Sequence, residues 1–532
     1  MQVIHKTING LLEEVAAAYP QQDAIIHTER HVRYNFQQLS REIDRSARGF
    51  IKKGIKAGDR VGLWAHNSPE WLLSFLGLTK IGAITVPIDP NAAAENLHFI
   101  LEQSECCGLI ISAGATNRKF EEMALAAKKQ FPTLQFILAV GDTPAEGMTT
   151  WADFLEPAAE VSDQTLAETA RAVQAANPMA IMYTSGTTGQ PKGVVLDHLG
   201  LINKSMVGTE RQGITAEDRL CLFFPLFHMM GNTCIALAGL LRGAALIMPC
   251  ETFDPPKILQ AISQEKCTAV YGSPSMLIAL IDHPDFQKEG WEKVSKGIIG
   301  GAPCPIELMR RIVEDIGVSD ITVAYGITET SSWITMTHPD DPIELRVSTI
   351  GTPLPCNEVK IIDPGSGEQL APNQQGELCT RGFLMKAYYK MPAATAAAVD
   401  KEEWFHTGDL GEMDEKGYVR ITGRLKDVIV RDGVDIYPVE VEEAIYQLPE
   451  ISEAQVFGFP HPQKGQEVAA WVKLKAGAKL SLDRIEQHVQ SRLTEDKWPT
   501  HYKFVSDFPM TGSGKIQKFK LAEMGQDEYL KR

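Results

Sequence analysis

Between Asp59 and Val140, short strand-like runs alternate with helix-like segments, and this alternation restricts the possible folds more than any other feature. DRVGLWAHN (59–67) precedes the helical WLLSFLGLTKIG (71–82), and AITVPIDP (83–90) reads as the next strand. CCGLIIS (106–112) and LQFILAV (134–140) are apolar enough for strands covered on both faces, and Phe120 to Lys129 between them has helical spacing. Such alternation predicts layered α/β architecture with mainly parallel strands. VKIIDP (359–364), GELCTRG (376–382) and GYVRITG (417–423) are bounded by Gly and Pro and predict an antiparallel β region. Beyond Gly423-Arg424-Leu425-Lys426-Asp427, about a hundred residues carry their own signals, a helix in VEVEEAIYQL (439–448) and a strand in EVAAWVKLKA (467–476). The expected organisation is a large N-terminal α/β domain, residues 1–424, and a small α+β C-terminal domain, residues 425–532. A chain of 532 residues exceeds what one core usually serves.

One stretch cannot belong to any core. YTSGTTGQPKG (183–193) packs three glycines, four Ser or Thr hydroxyls and a lysine between the apolar PMAIMYTS and GVVLDH. Glycines let backbone N–H groups approach phosphate oxygens, the hydroxyls of Thr184, Ser185, Thr187 and Thr188 add donors, and Lys192 adds a mobile cation. The combination suits a polyphosphate. It is not the Walker pattern: Gly186 and Gly189 are three apart, and Gly193 stands where Ser or Thr should follow the lysine. A surface turn is the competing reading, and the loop alone does not decide between them.

Charge and thiols narrow the setting. A formal charge of −16 argues against a general nucleic-acid or anionic-membrane surface, though not against a local cationic pocket. Nine cysteines form no CxxC pair, and the adjacent Cys106 and Cys107 are poorly placed for a mutual disulfide. We expect nine reduced thiols in a cytosolic protein with no zinc site. The N-terminal MQVIHKTINGLLEEVAAAYP reads as an amphipathic helix rather than a signal peptide, and no apolar run is long enough to span a bilayer.

Further motifs resolve the ambiguity of the loop. YTSGTTGQPKG resembles the phosphate-binding signature of the adenylate-forming superfamily, which includes acyl-CoA synthetases, adenylation domains of peptide synthetases and beetle luciferases. PLFHMMG (225–231), GGAPC (300–304), YGITET (325–330), HTGDL (406–410), GRLKD (423–427), GVDIYPVEVE (433–442) and TGSGKIQK (511–518) follow in that superfamily's order over nearly the whole chain.

The resemblance implies ATP-dependent attachment of a carboxylate to the α-phosphorus with loss of pyrophosphate, then transfer of the acyl group to coenzyme A. It implies that Thr184, Ser185, Gly186, Thr187, Thr188, Gly189 and Lys192 embrace the leaving phosphates, that Thr328 contacts phosphate and that Glu329 holds Mg²⁺. Gly301, Ala302 and Pro303, with Tyr325 and Gly326, match positions around the adenine. Asp409 matches the ribose ligand, and Arg424 supports the ribose and phosphate region. Lys515 matches the lysine that stabilises charge during adenylation. His228 matches a position facing the reacting carboxylate, with gating its alternative role. The small domain is mobile in the family, with its hinge at the position of Lys426, and Gly433, Val434 and Asp435 match the loop that serves thioester formation. Here the chain departs from the commoner R-G-G-E-N-I-Y-P: Asp432 replaces a glycine and Val434 a glutamate.

The acyl pocket is expected from Phe227, Met229, Met230, Ile235, Ile327 and Trp333, windows without Lys or Arg to pair a second carboxylate, which favours an apolar monocarboxylate. The C-terminal SGKIQKFKL looks most like medium-chain fatty acyl-CoA synthetases, with aryl and alicyclic acid ligases as rivals. Expected partners are the acid, ATP and coenzyme A, with neither nucleic acid nor integral membrane association and with homodimerisation left open. Competing readings are delivery to a carrier-protein thiol, a catalytically silent nucleotide- or acyl-binding regulator, and, more remotely, an ADP-forming kinase.

Overall fold

The alternating segment folds as parallel strands joined through helices. Arg60–Trp64 lies between Ile84–Pro87 and Gly108–Ser112, and Gly108–Ser112 pairs onward with Phe136–Val140, each pair parallel. Ser68 caps the intervening helix Pro69–Lys80 by accepting from the Trp71 N–H, and Pro69 supplies a first-turn residue that needs no N–H partner. All of that helix but Glu70 is buried, which explains why its sequence is mostly apolar.

The computed structural model describes residues 2–114, 117–141, 144–184, 191–475, 477–510 and 516–530. The chain divides into two compact units, Met1–Glu358 with Arg381–Phe405, and Val359–Thr380 with His406–Arg532.

The first unit holds two large sheets. Among the described residues one has eight strands, from Ala387–Tyr388 through Lys192–Asp197, Pro178–Thr184 and Ile84–Pro87 to Thr149–Thr150. The other has nine, with Asp320–Ile327 between Lys296–Ile299 and Ser332–Met336. Alternate residues of the buried strands serve different cores: Leu63, Ile110 and Leu138 join a cluster with the helices between the sheets, whereas Trp64, Ile111 and Ile137 pack on the opposite side. The N-terminal segment forms the expected helix, Ile8–Ala18.

The second unit contains, but for the end residues Glu358, Arg381 and Phe405, a four-stranded sheet ordered Glu358–Ile362, Gly376–Arg381, Phe405–Met413, Val419–Arg424, whose last pair is antiparallel. Its other sheet is built on the long antiparallel pair Ile451–His461 and Gly465–Leu474, covered by Pro438–Tyr446 and Leu482–Gln490 around an apolar core. The junction expected after Arg424 falls inside this unit, at the single turn Leu425–Asp427 between strands Val419–Arg424 and Ile429–Arg431.

Candidate active site

In the first unit, the polar loop is carried by an antiparallel pair. Pro178–Thr184 runs up and Lys192–Asp197 returns, with Thr184 opposite Lys192 and its hydroxyl donating to the Lys192 carbonyl at 3.5 Å. Ser185, Gly186, Thr187, Thr188 and Gly189 lie outside the described residues, as does Lys515.

The strongest assembly of expected residues is completed by one that no motif singled out. The Lys192 ammonium sits over the Tyr388 ring, 4.9 Å from its centroid, and the Tyr388 hydroxyl donates to Glu329 Oε1 at 2.8 Å. The three therefore form a continuous cation–ring–carboxylate array. Backbone bonds fix the segment that delivers Tyr388: Met385 N donates to the Glu329 carbonyl at 2.7 Å, Lys386 N to Val195 and Tyr389 N to Gly193. Burial, and then the Glu329 charge, raises the Tyr388 phenol far above its usual range, so it remains a donor at any working pH. Among the described residues no Lys or Arg pairs with the Glu329 carboxylate.

Glu329 stands in a constrained turn. Strand Asp320–Ile327 is buried from Ile321 to Ala324, then half-exposed from Tyr325 through Glu329, and the turn Thr328–Thr330 reverses the chain into Ser332–Met336. Ser331 and Ser332 have φ of 56° and 119°, successive left-handed values that non-glycine residues rarely adopt. Gly326 has no room for a side chain, since a Cβ there would lie 1.9 Å from the Ser332 carbonyl oxygen. Gly301, Ala302 and Pro303 are exposed just beyond Lys296–Ile299, whose neighbour in parallel is the strand Asp320–Ile327, with Tyr325 and Gly326 near its end. Both therefore leave the sheet at its carboxyl edge, where open α/β sheets bind ligands.

His228 opens the segment before a π-helix, Met230–Leu237, a form frequent at functional sites. His228 Nδ1 accepts the Met230 N–H at 3.2 Å, which places the proton of the neutral ring on Nε2. Met229, Met230, Ile235 and Trp333 belong to the main apolar core of this unit, and Ile327 packs against it. Phe227 is not in that core; half-exposed, its ring stands edge-on to His228. The Trp333 indole lies directly on Gly208, where a Cβ would come within 2.6 Å of the ring. A lysine outside the expected windows, Lys204, is fully buried here and donates to the Trp333 carbonyl at 3.0 Å and to Asn357 Oδ1. Burial pushes its ammonium down to about 7.

In the second unit, Asp409 and Arg424 face each other across adjacent strands, with Arg424 Nε 2.7 Å from Asp409 Oδ1. Asp409 is buried while Arg424 is half-exposed, so the guanidinium holds the carboxylate from the solvent side. Neighbouring bonds position the turn: Thr407 Oγ1 donates to the Leu378 carbonyl at 2.7 Å and accepts the Asp409 N–H at 3.0 Å. Lys426 lies in the turn Leu425–Asp427. Gly433 heads a tight hairpin between Ile429–Arg431 and Val434–Ile436, and Gly433, Val434 and Asp435 are all exposed. Asp432 and Gly433 have φ of 54° and 81°, so the departure Asp432 occupies a left-handed position that Asp tolerates, and Asp-Gly is a favoured pair for this turn.

Comparison with known proteins gives the same assignment. Residues 12–389 match the family described as AMP-binding enzyme, and residues 440–515 its C-terminal domain. The putative acyl-CoA synthetase YngI of Bacillus subtilis is 40% identical over 98% of this chain and 97% of that protein. The mouse mitochondrial medium-chain acyl-CoA ligase ACSF2 is 33% identical over 99% of this chain and 89% of that protein. The ATP-bound structure of MatB from Rhodopseudomonas palustris superposes with a TM-score of 0.84 at 26% identity, covering 98% of this chain and all of that one. The chain belongs to the AMP-binding enzyme family, as an acyl-CoA synthetase of the adenylate-forming superfamily.

Proposed function

We propose that this AMP-forming acid–CoA ligase activates an apolar monocarboxylate, a medium-chain fatty acid or an aryl or alicyclic acid, using the residues around Glu329 in the first unit and those around Asp409 in the second. The observation that carries the reading is the array Lys192–Tyr388–Glu329, which sets a cation and a carboxylate on one ring beside the polar loop. The acid oxygen attacks the α-phosphorus of ATP and pyrophosphate leaves; the thiolate of coenzyme A then attacks the acyl carbon and AMP leaves. Lys192 and Thr184, with Ser185, Gly186, Thr187, Thr188 and Gly189, neutralise and orient the departing phosphates. Lys515 offsets the repulsion between the two reacting anions, and His228 faces the acid.

Glu329 is a fitting single-carboxylate ligand for Mg²⁺, since Tyr388 donates to one oxygen and no described cation neutralises the group. When bound, Mg²⁺ would neutralise phosphate charge. Asp409, aligned by Arg424, accepts from the ribose hydroxyls. Gly301, Ala302, Pro303, Tyr325 and Gly326 flank the base. Met229, Met230, Ile235 and Trp333, with Ile327 packed against them, place only apolar side chains at the expected windows, which supports an apolar acyl chain. Lys204 does not counter this, because its ammonium is already bonded to Trp333 and Asn357.

The domain boundary after Arg424 and a hinge at Lys426 belong to the same proposal. They are supported by the lone turn Leu425–Asp427 that separates two sheets. The exposed hairpin Gly433–Asp435 is the thioester-forming loop. Among the described residues no disulfide joins any of the nine cysteines, which supports a reducing, cytosolic setting. A panel of carboxylic acids assayed for pyrophosphate release, with and without coenzyme A, tests the reading. Release and thioester formation confined to apolar monocarboxylates is the expected result. Turnover restricted to dicarboxylates overturns the substrate class, and thioester formation only on a carrier protein overturns the acceptor.

A further inference from the structure

The sequence lacks the paired cysteine spacing of a zinc site, yet folding brings three metal-ligating side chains together from positions 27 to 29 residues apart. Glu377 and Cys379 lie two apart on strand Gly376–Arg381, so they share a face. His406 is the second residue of the neighbouring strand Phe405–Met413. His406 Nδ1 is 2.9 Å from Glu377 Oε2 and 3.6 Å from Cys379 Sγ, and the three donor atoms all lie within 4.8 Å of one another. We infer that Glu377, Cys379 and His406 form a binding site for a borderline-soft divalent cation, with Zn²⁺ the best fit.

Geometry, charge and donor chemistry agree. Tetrahedral zinc with Zn–S of about 2.3 Å and Zn–N of about 2.0 Å separates sulfur from nitrogen by about 3.6 Å, which is the spacing present. The nitrogen–oxygen pair must widen by only roughly 0.4 Å from its hydrogen-bond length. A thiolate and a carboxylate offset the two positive charges and the neutral imidazole adds none, so the buried complex is neutral and no charge is left unpaired. Binding releases the thiol proton to solvent, and the ring proton that Nδ1 shares with the Glu377 carboxylate gives way to one on Nε2. Glu377 and Cys379 are buried, while His406 retains solvent contact, giving an ion a route in and water a place at the fourth position. Glu377 Oε1 accepts the Gly408 N–H at 3.1 Å, an outer bond of the kind that orients a ligating carboxylate. The sulfur donor selects against Mg²⁺, so the magnesium that accompanies ATP does not compete. His406 also lies three residues before Asp409 on the same strand, so an ion here ties the ribose-side strand to its neighbour.

The test uses the full-length protein, stripped with a chelator, then titrated with Zn²⁺ by calorimetry and with Co²⁺ by absorbance. The wild type is expected to bind one equivalent, to show a thiolate-to-cobalt charge-transfer band, and to keep both in excess Mg²⁺. Cys379→Ala abolishes the band and weakens Zn²⁺ binding at least about 100-fold, with pyrophosphate release in zinc-free buffer unchanged. His406→Gln, which leaves the buried thiol in place, carries the same comparison should Cys379→Ala fail to fold. No zinc binding by the wild type, or a change below about tenfold in the variant, overturns the site; the latter would place the ion at another thiol, such as the half-exposed Cys107 or Cys356.

Discussion

Replacing Tyr388 by phenylalanine removes one oxygen and almost nothing else. The ring remains beneath Lys192, whose ammonium is 4.9 Å from its centroid, but Glu329 Oε1 loses a donor at 2.8 Å. A hydrogen bond to a charged group contributes about 1.5–3 kcal/mol. At roughly 1.4 kcal/mol per factor of ten, that corresponds to about 10- to 150-fold in kcat/KM. Glu329 is half-exposed, so water replaces part of the loss and the lower end, about tenfold, is expected. The assay is ATP–pyrophosphate exchange across a range of Mg²⁺ concentrations, where a disordered Glu329 also raises the Mg²⁺ needed for half-maximal rate. Tyr388→Leu removes the ring as well, and should cost a further about 0.5–2 kcal/mol through Lys192. If both variants stay within twofold of wild type at every Mg²⁺ concentration, the array is structural and its proposed part in ATP chemistry fails.

Lys515→Ala should remove most adenylation while sparing thioester formation from supplied acyl-adenylate; equal loss of both steps refutes its assigned role. Trp333→Ala should lower stability by about 3–5 kcal/mol and shift acid preference toward longer chains, because it vacates the space against Gly208; an unchanged chain-length profile speaks against Trp333 as a pocket wall. Burial works to raise the Glu467 carboxyl, but hydrogen bonds from Lys464 and Arg431 outweigh it and hold the group at about 2, against 4.5 unfolded. A depressed carboxyl adds stability above its unfolded value and loses it as pH falls toward the folded one, so roughly 3 kcal/mol should disappear between about pH 4.5 and 2. Urea unfolding of Glu467→Gln should show that slope flattened. Asp432→Val should destabilise the hairpin by about 1–2 kcal/mol because φ is 54° there, whereas Asp432→Gly should be neutral or nearly so by thermal unfolding.

Much of the fold was legible because burial leaves a local periodic trace. Leu63 and Trp64 face opposite cores, and such alternation within Arg60–Trp64 and its neighbours is visible without coordinates. Site chemistry was legible where a motif preserves residue types in order, as in YGITET and HTGDL. Tyr388 was not, since it sits in FLMKAYYK with no glycine signature or spacing to mark it, and its importance lies in a partner 59 residues away. Lys204 was missed for a related reason: in sequence it looks like an ordinary solvated charge on an amphipathic helix, yet it is fully buried.

The amino-acid sequence by itself determined the layered α/β class, the order of the motifs from YTSGTTGQPKG to TGSGKIQK, and the family. Each depends on residue type and near-neighbour spacing, which chain geometry converts directly into strands, helices and turns. Tertiary structure alone decided that Tyr388 joins Lys192 to Glu329, that Arg424 meets Asp409, and that Glu377, Cys379 and His406 converge. Those meetings depend on strand register and on which distant faces pack together, and no local period encodes either.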